Sequence, residues 1–307
     1  MSGNKTHLNG ILCVVLASIF WGTTGTAASL VPEISPLATG AFAMGVGGLL
    51  LVLNSKKKLF LERKLIFSHT RLLACGAISV AIYPLAFYSS MKFSGVAIGT
   101  LISIASAPFF SVLLERLISK KKVHFHWIVS FIIGAAGIVL LTIGKQDGFA
   151  INSQLSKSYW GIGLGLIAAL TYASYSWAAR QMIEQGISSQ SSMASMFGVA
   201  ALLLLPSLYF TGHNLFTAKI NIAVMFYMAI VPMFIGYLLF GYALRQIEAS
   251  TATLITLLEP AVATLFAITI VGEQFSTFGW YGFAFIIICL VLQVVRFPTK
   301  RPVTESY

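Results

Sequence analysis

Gly10-Ile-Leu-Cys-Val-Val-Leu-Ala-Ser-Ile-Phe-Trp21 holds no charged residue, and the uncharged run continues to Leu30. A bilayer core is crossed by about 20 mostly apolar residues in a helix, so 10–30 is long enough to span. A secretory signal has an apolar region of only about 7–15 residues. We therefore read this segment as a retained first membrane helix, although Lys5 precedes it and the small residues Thr26, Ala27 and Ala28 follow. The stretch then returns as Gly161-Ile-Gly-Leu-Gly-Leu-Ile-Ala-Ala-Leu-Thr-Tyr172, 151 positions later. Ala107-Pro108 and Glu259-Pro260 are related by an offset of 152. One offset holding over such a distance predicts a duplicated chain.

Composition agrees with a membrane protein. Of 307 residues, 57% are hydrophobic and 9% charged, where a soluble domain carries about 25% charged residues. The mean hydropathy is +0.87. Spans are expected near 10–30, 36–54, 72–91, 96–115, 125–144, 159–179, 192–211, 221–243, 250–270 and 277–296. The longest connections are a basic one, 55–71, and a polar one, 145–158. The second divides a first repeat, 10–144, from a second, 159–296, and 297–307 forms a tail. Five spans per half is an odd number, so the second half enters the membrane from the opposite side. The expected fold is all-α and integral to the membrane, with ten transmembrane helices as two inverted five-helix repeats. Such folds place a substrate site near the bilayer midplane, between the halves.

The net charge of +11 does not signal nucleic acid, because the cations come in bursts between apolar runs, such as Lys56-Lys57-Lys58 and Lys120-Lys121-Lys122. With the N-terminus inside, sixteen Lys and Arg fall on the inner side and four on the outer, namely Lys92, Lys145, Lys157 and Lys219. The excess of cations on cytoplasmic loops then predicts an inner-membrane protein with both termini cytoplasmic.

Nine acidic residues are present, and eight lie at expected span ends or in loops. Glu259 falls well inside a span. An ionisable side chain there survives if it is protonated, paired or facing a wet cavity. Two roles fit it. It could carry a proton or pair with a cationic substrate. It could instead cap a helix break, because Pro260 leaves the Thr256 carbonyl without its usual donor. Pro108 and Pro260 are expected to kink their helices in parallel across a central cavity. The first, third, fourth, sixth, eighth and ninth spans carry aromatic and hydroxyl side chains and are expected to line that cavity. We single out Trp21, Thr24, Tyr83, Ser103, Tyr172, Tyr175 and Tyr237 for the pathway. An apolar pocket with a few polar handles suits a small molecule, and Tyr and Trp faces suit an amine. The same aromatics could instead form interfacial belts. The fifth and tenth spans are expected to be peripheral.

No metal or cofactor is expected. Cys13, Cys75 and Cys289 sit in apolar runs with no CxxC spacing, and the five histidines fall outside the spans. No HExxH, phosphate-binding loop or nucleophile elbow occurs, and no set of Asp, His or Arg groups at one membrane face.

Several short motifs, in order, resemble the EamA family of the drug/metabolite transporter superfamily. Phe20-Trp21-Gly22 ends the first span, and Tyr242-Ala-Leu-Arg245 closes the eighth. Leu257-Leu-Glu-Pro260 follows, then Gly272-Glu273. The resemblance covers roughly 10–296 and implies ten helices and the transport of small organic solutes. The first half departs from the pattern. Its glutamate before the proline is Ala107, and its Gly-Glu pair falls on Lys120-Lys121. A mechanism with one carboxylate in each half is not expected. The function expected is secondary transport of a small metabolite, such as an amino acid or amine, with protons a candidate coupling ion. The partners expected are that substrate and membrane lipids, with no nucleic acid, in a monomer or homodimer. The competing class is a membrane-embedded enzyme acting on lipids or lipid-linked sugars.

Overall fold

The computed structural model describes residues 2–144, 155–271 and 276–294. Among these residues there are no strands, and ten helical segments are long and apolar enough to cross a membrane. They are α1 (Lys5–Ser29), α2 (Pro36–Ser68), α3 (Thr70–Ser94), α4 (Ile98–Leu117), α5 (Phe125–Ile143), α6 (Tyr159–Glu184), α7 (Ser189–Thr211), α8 (Lys219–Ala243), α9 (Ala249–Ile270) and α10 (Thr277–Val294). The expected linker lies outside the described residues up to 154, and helix begins at Leu155. The Gly272-Glu273 pair and the 297–307 tail also lie outside them.

Helix pairing follows the sequence repeat. α3 packs along α6, and their counterparts in the other half, α8 and α1, pack together. α4 meets α6 as α9 meets α1, and α3 meets α7 as α8 meets α2. The pairs α2–α7, α4–α9 and α5–α10 are their own counterparts. A two-fold relation between the halves requires this set of contacts. The α3–α6 approach is close because Gly161 has no side chain. A Cβ there would lie 2.5 Å from the Ser94 nitrogen, and Ser90 Oγ donates to the Gly161 carbonyl at 2.7 Å.

The connection expected over 55–71 is helical to Ser68 instead. No Gly or Pro follows Gly48 in this stretch, so nothing interrupts the helix. Ser55, Leu59, Glu62 and Ile66 recur every three to four residues and face the protein, while Lys56, Lys57, Lys58, Arg63 and Lys64 face outward. Glu62 is held in by Ser188, whose backbone N–H and hydroxyl both donate to it at 3.0 Å.

Three spans are interrupted. α1 turns at Thr23, α4 at Ser106 and α9 at Thr256–Leu257. The last two breaks stand just before Pro108 and Pro260, at equivalent places in the two repeats. α8 widens into a π-helical turn over Ala229–Ile235, around Pro232, and α9 does so over Ala267–Val271. α10 presents Trp280, Tyr281, Ile288 and Val291 outward, as expected of a helix facing lipid.

Candidate functional site

Consecutive spans alternate in direction. One face of the bundle therefore carries the α1–α2, α3–α4 and α7–α8 turns, and the opposite face carries the α2–α3, α4–α5, α6–α7 and α8–α9 turns. A cleft opens from the first face to mid-span. Trp21 and Thr24 of α1 line it with Gly40, Ala43 and Met44 of α2 and Tyr83, Pro84, Phe87 and Tyr88 of α3. Tyr172 and Tyr175 of α6, Met233 and Tyr237 of α8, and Glu259 of α9 complete it. About 50 Å³ of it is open to a water-sized sphere in this state, space for a few water molecules.

Seven of the eight pathway residues singled out from sequence thus meet in one cleft. Ser103 does not join them; it is 1% exposed, and its hydroxyl has no hydrogen-bond partner among the described residues. With it goes the expectation that α4 lines the cavity. α2 takes that place through Gly40, Ala43 and Met44. These are small or apolar residues, and polarity could not reveal them.

The wall is built of interlocked rings. Trp21 and Tyr237 lie 5.0 Å apart between centroids, Tyr172 and Tyr175 5.2 Å, and Tyr83 and Tyr172 5.6 Å. These separations suit tilted aromatic pairs. Polar tips are tied down in turn. The Tyr175 and Tyr237 hydroxyls pair at 2.9 Å, Tyr172 donates to Thr256 Oγ1 at 3.1 Å, and Trp21 Nε1 donates to the Pro232 carbonyl at 2.8 Å. Trp21 can approach α8 because residue 236 is glycine; a Cβ there would sit 2.8 Å from Trp21 Nε1.

Glu259 occupies the first turn of the second segment of α9, Leu258–Phe266. Its carboxylate makes no hydrogen bond or ion pair among the described residues. Tyr83, Tyr88, Tyr172 and Tyr237 all stand within reach of its charge. The motive for a side-chain cap at this break is removed by the backbone itself, since the Glu259 N–H donates to the Thr256 carbonyl at 2.9 Å.

Beneath the cleft the bundle is packed shut. Ser176, Ala178, Ala179, Met182, Ala243, Leu244, Ala252 and Ile255 are buried there. Below them, at the opposite face, ionisable residues that are dispersed in sequence come together. Lys121, in the α4–α5 connection, donates to Glu184 at 2.6 Å and also to Glu248. Arg180 donates to Glu184 at 2.9 Å and to the Leu244 carbonyl at 2.6 Å. Glu115, only 4% exposed, accepts the Ser250 N–H at 3.0 Å, and Trp177 Nε1 donates to Ser119 at 2.9 Å. Lys121, Glu115 and Ser119 belong to the first repeat, and their partners belong to the second. The Lys121 ammonium loses hydration here, but the Glu184 and Glu248 carboxylates outweigh that loss and hold its pKa above the ordinary lysine value.

Sequence reasoning read Lys121 as a topology signal only and found no ionisable group set at one face. The structure corrects both points. The signal available was the departure from the family's Gly-Glu at Lys120-Lys121. His124 and His126 stack with ring centroids 5.7 Å apart, and among the described residues no three of His, Cys, Asp and Glu come together.

Ten membrane spans in two related halves, with a cleft between the halves, define a polytopic membrane transport protein. The chain belongs to the EamA-like transporter family, whose model matches residues 8–143 and 159–295. It is 29% identical over 298 residues to the Uncharacterized transporter YwfM of Bacillus subtilis, covering 96% of both chains. It is 25% identical over 171 residues to a Probable terminal-alkyne amino-acid exporter of Streptantibioticus cattleyicolor, covering 55% of this chain and 54% of that one. A solved crystal structure shares the fold with a TM-score of 0.75 at 17% identity, covering 95% of this chain and 96% of that one.

Proposed function

We propose that the protein is a secondary transporter that moves a small organic metabolite, an amino acid or an amine, across the inner membrane by alternating access. The observation that carries this reading is the pairing of a mid-span cleft, open toward one face, with a seal of ion pairs between the repeats at the other face. Rocking the halves about the cleft would open the seal and close the mouth. The charge count supports a cytoplasmic sealed face and cytoplasmic termini, and in that orientation the cleft faces outward. Glu259, the one carboxyl group among the residues that line the cleft, is the candidate for exchanging a proton against substrate.

The competing reading, an enzyme acting on lipid, needs ionisable groups free to reach a headgroup. The four at the sealed face are engaged with one another, which favours transport. Proteoliposomes containing the purified chain should accumulate a labelled metabolite under a pH gradient with no chemical change in it. A modified product without net flux would replace the transporter with the enzyme. Labelling of a cysteine at position 57 from outside intact cells would reverse the orientation.

A further inference from the structure

The cleft has one carboxyl group and no basic side chain. Fourteen residues line it, and among them Glu259 is ionisable as an anion while Lys, Arg and His are absent. Arg180 and Lys121, at the sealed side, are both engaged with carboxylates there. The N-terminus of a half-helix could in principle hold an anion. The one that begins in the cleft, at Leu258, already carries its own carboxylate in its first turn.

We infer that the cleft selects small organic monocations, amines with an aromatic or apolar body and no carboxylate, over zwitterionic amino acids. This rests on the transporter reading and narrows its substrate class. An ammonium entering the cleft meets the unpaired Glu259 carboxylate. It also meets the hydroxyls of Tyr83 and Tyr88, which make no hydrogen bond among the described residues and can accept from its N–H groups. The Tyr172, Tyr175 and Tyr237 hydroxyls are already tied to one another or to Thr256, so those rings offer faces rather than tips. Ring faces attract a cation through their quadrupole and bury an apolar body. An amino acid brings the same ammonium together with a carboxylate. That second charge would lie in a small, ring-walled space beside Glu259 with no cation to meet it, and like charges in a weakly screened site disfavour each other. A carboxylate alone could accept from the Tyr83 and Tyr88 hydroxyls but would find no cation.

Three ligands with one ring and different charge separate these cases: phenethylamine, phenylalanine and 3-phenylpropionate. Binding to the purified full chain in nanodiscs at pH 7.5 can be read by calorimetry and by thermal shift. Phenethylamine is expected to bind at least tenfold more tightly than phenylalanine, and 3-phenylpropionate not to bind. Glu259→Gln should weaken phenethylamine at least tenfold, and Tyr88→Phe should weaken it several-fold. If Glu259→Gln does not fold, the ligand series on the native protein and the Tyr88→Phe variant decide the matter. Equal or tighter binding of phenylalanine overturns the inference, as does undiminished amine binding in a folded Glu259→Gln protein or no amine binding at millimolar concentration. Flux separates this from the transporter reading. Selective amine binding without flux of any ligand removes the transport function and leaves the selectivity standing. Phenylalanine flux without amine binding does the reverse.

Discussion

The cleft and the sealed face both join the two repeats, but they do so with different chemistry. The cleft is walled by aromatic rings and contains one carboxyl group, whereas the seal is a set of ion pairs and charge-assisted hydrogen bonds. Ring contacts tolerate a range of offset and tilted geometries, so one can replace another as the halves tilt. Ion pairs do not, yet these are placed where breaking them is cheap. Lys121, Glu184 and Glu248 keep 27%, 30% and 40% of their side-chain surface exposed, and pairs at such positions contribute only about 0.2–1 kcal/mol each. Water can take the charges back when the halves part. The exposed pairs at this face can be broken and rehydrated at little cost, whereas the buried bond from the Ser250 N–H to Glu115 gives it a drier anchor.

The largest expected effect concerns the cleft. Glu259→Gln should abolish uptake driven by a pH gradient, at least a tenfold loss, while the melting temperature stays within a few degrees of the parent. Undiminished proton-driven flux would remove the coupling role from Glu259. A smaller effect is expected at the seal. Lys121→Met removes two ion pairs, about 0.4–2 kcal/mol, and so should raise the opened fraction by about 2–30-fold. Ala252 is buried between cleft and seal. A single cysteine at 252, with Cys13, Cys75 and Cys289 replaced, should therefore react faster with a polar maleimide in the Lys121→Met background. An unchanged rate would mean that packing alone closes this face.

The Gly236→Ala variant tests whether the wall tolerates repacking. Its new methyl would crowd Trp21 Nε1, and displacing that indole should lower the melting temperature by about 2–4 °C and weaken ligand binding a few-fold. Wild-type behaviour in both measurements would show that the ring wall yields freely. The smallest effect is with pH. Because the pairs raise the folded pKa of Lys121 above its reference of 10.5, their contribution is complete below that pH and is lost only as pH rises through the higher folded value. The difference in melting temperature between wild type and Lys121→Met should stay level from pH 7 to 9 and shrink above about 10.5. A difference that vanishes by pH 9 would mean that Lys121 is not held by these carboxylates.

Ten spans and the duplication could be read from sequence because both rest on long uncharged runs, which average over many residues. Most of the cleft was legible for a related reason. Trp, Tyr and Glu inside a span stand out against an apolar background. What stayed hidden carries no such contrast. Gly40, Ala43 and Met44 matter by being small or compliant, and Ser103 has the same hydroxyl whether it faces a cleft or a packed core. The helical 55–68 stretch was misread because a burst of lysines looks like a loop, although nothing in its backbone chemistry ends a helix. The seal depends on loops that are distant in sequence, with Lys121, Arg180 and Glu248 brought together only by the packing of α4, α6 and α9.

The wide turn at Ala229–Ile235 has a consequence for how α8 can change in length. A turn closed from residue i to i+5 holds one residue more than an α-turn. Deleting one residue there would let the turn tighten into ordinary α-helix while the flanks keep their phase, so Tyr237 would still face Tyr175. The same deletion in a regular stretch of an α-helix has no such slack. It rotates everything beyond it by about 100°, one residue's share of a 3.6-residue turn. α8 thus carries a spare residue at the one place where length can vary without turning the cleft's tyrosine away.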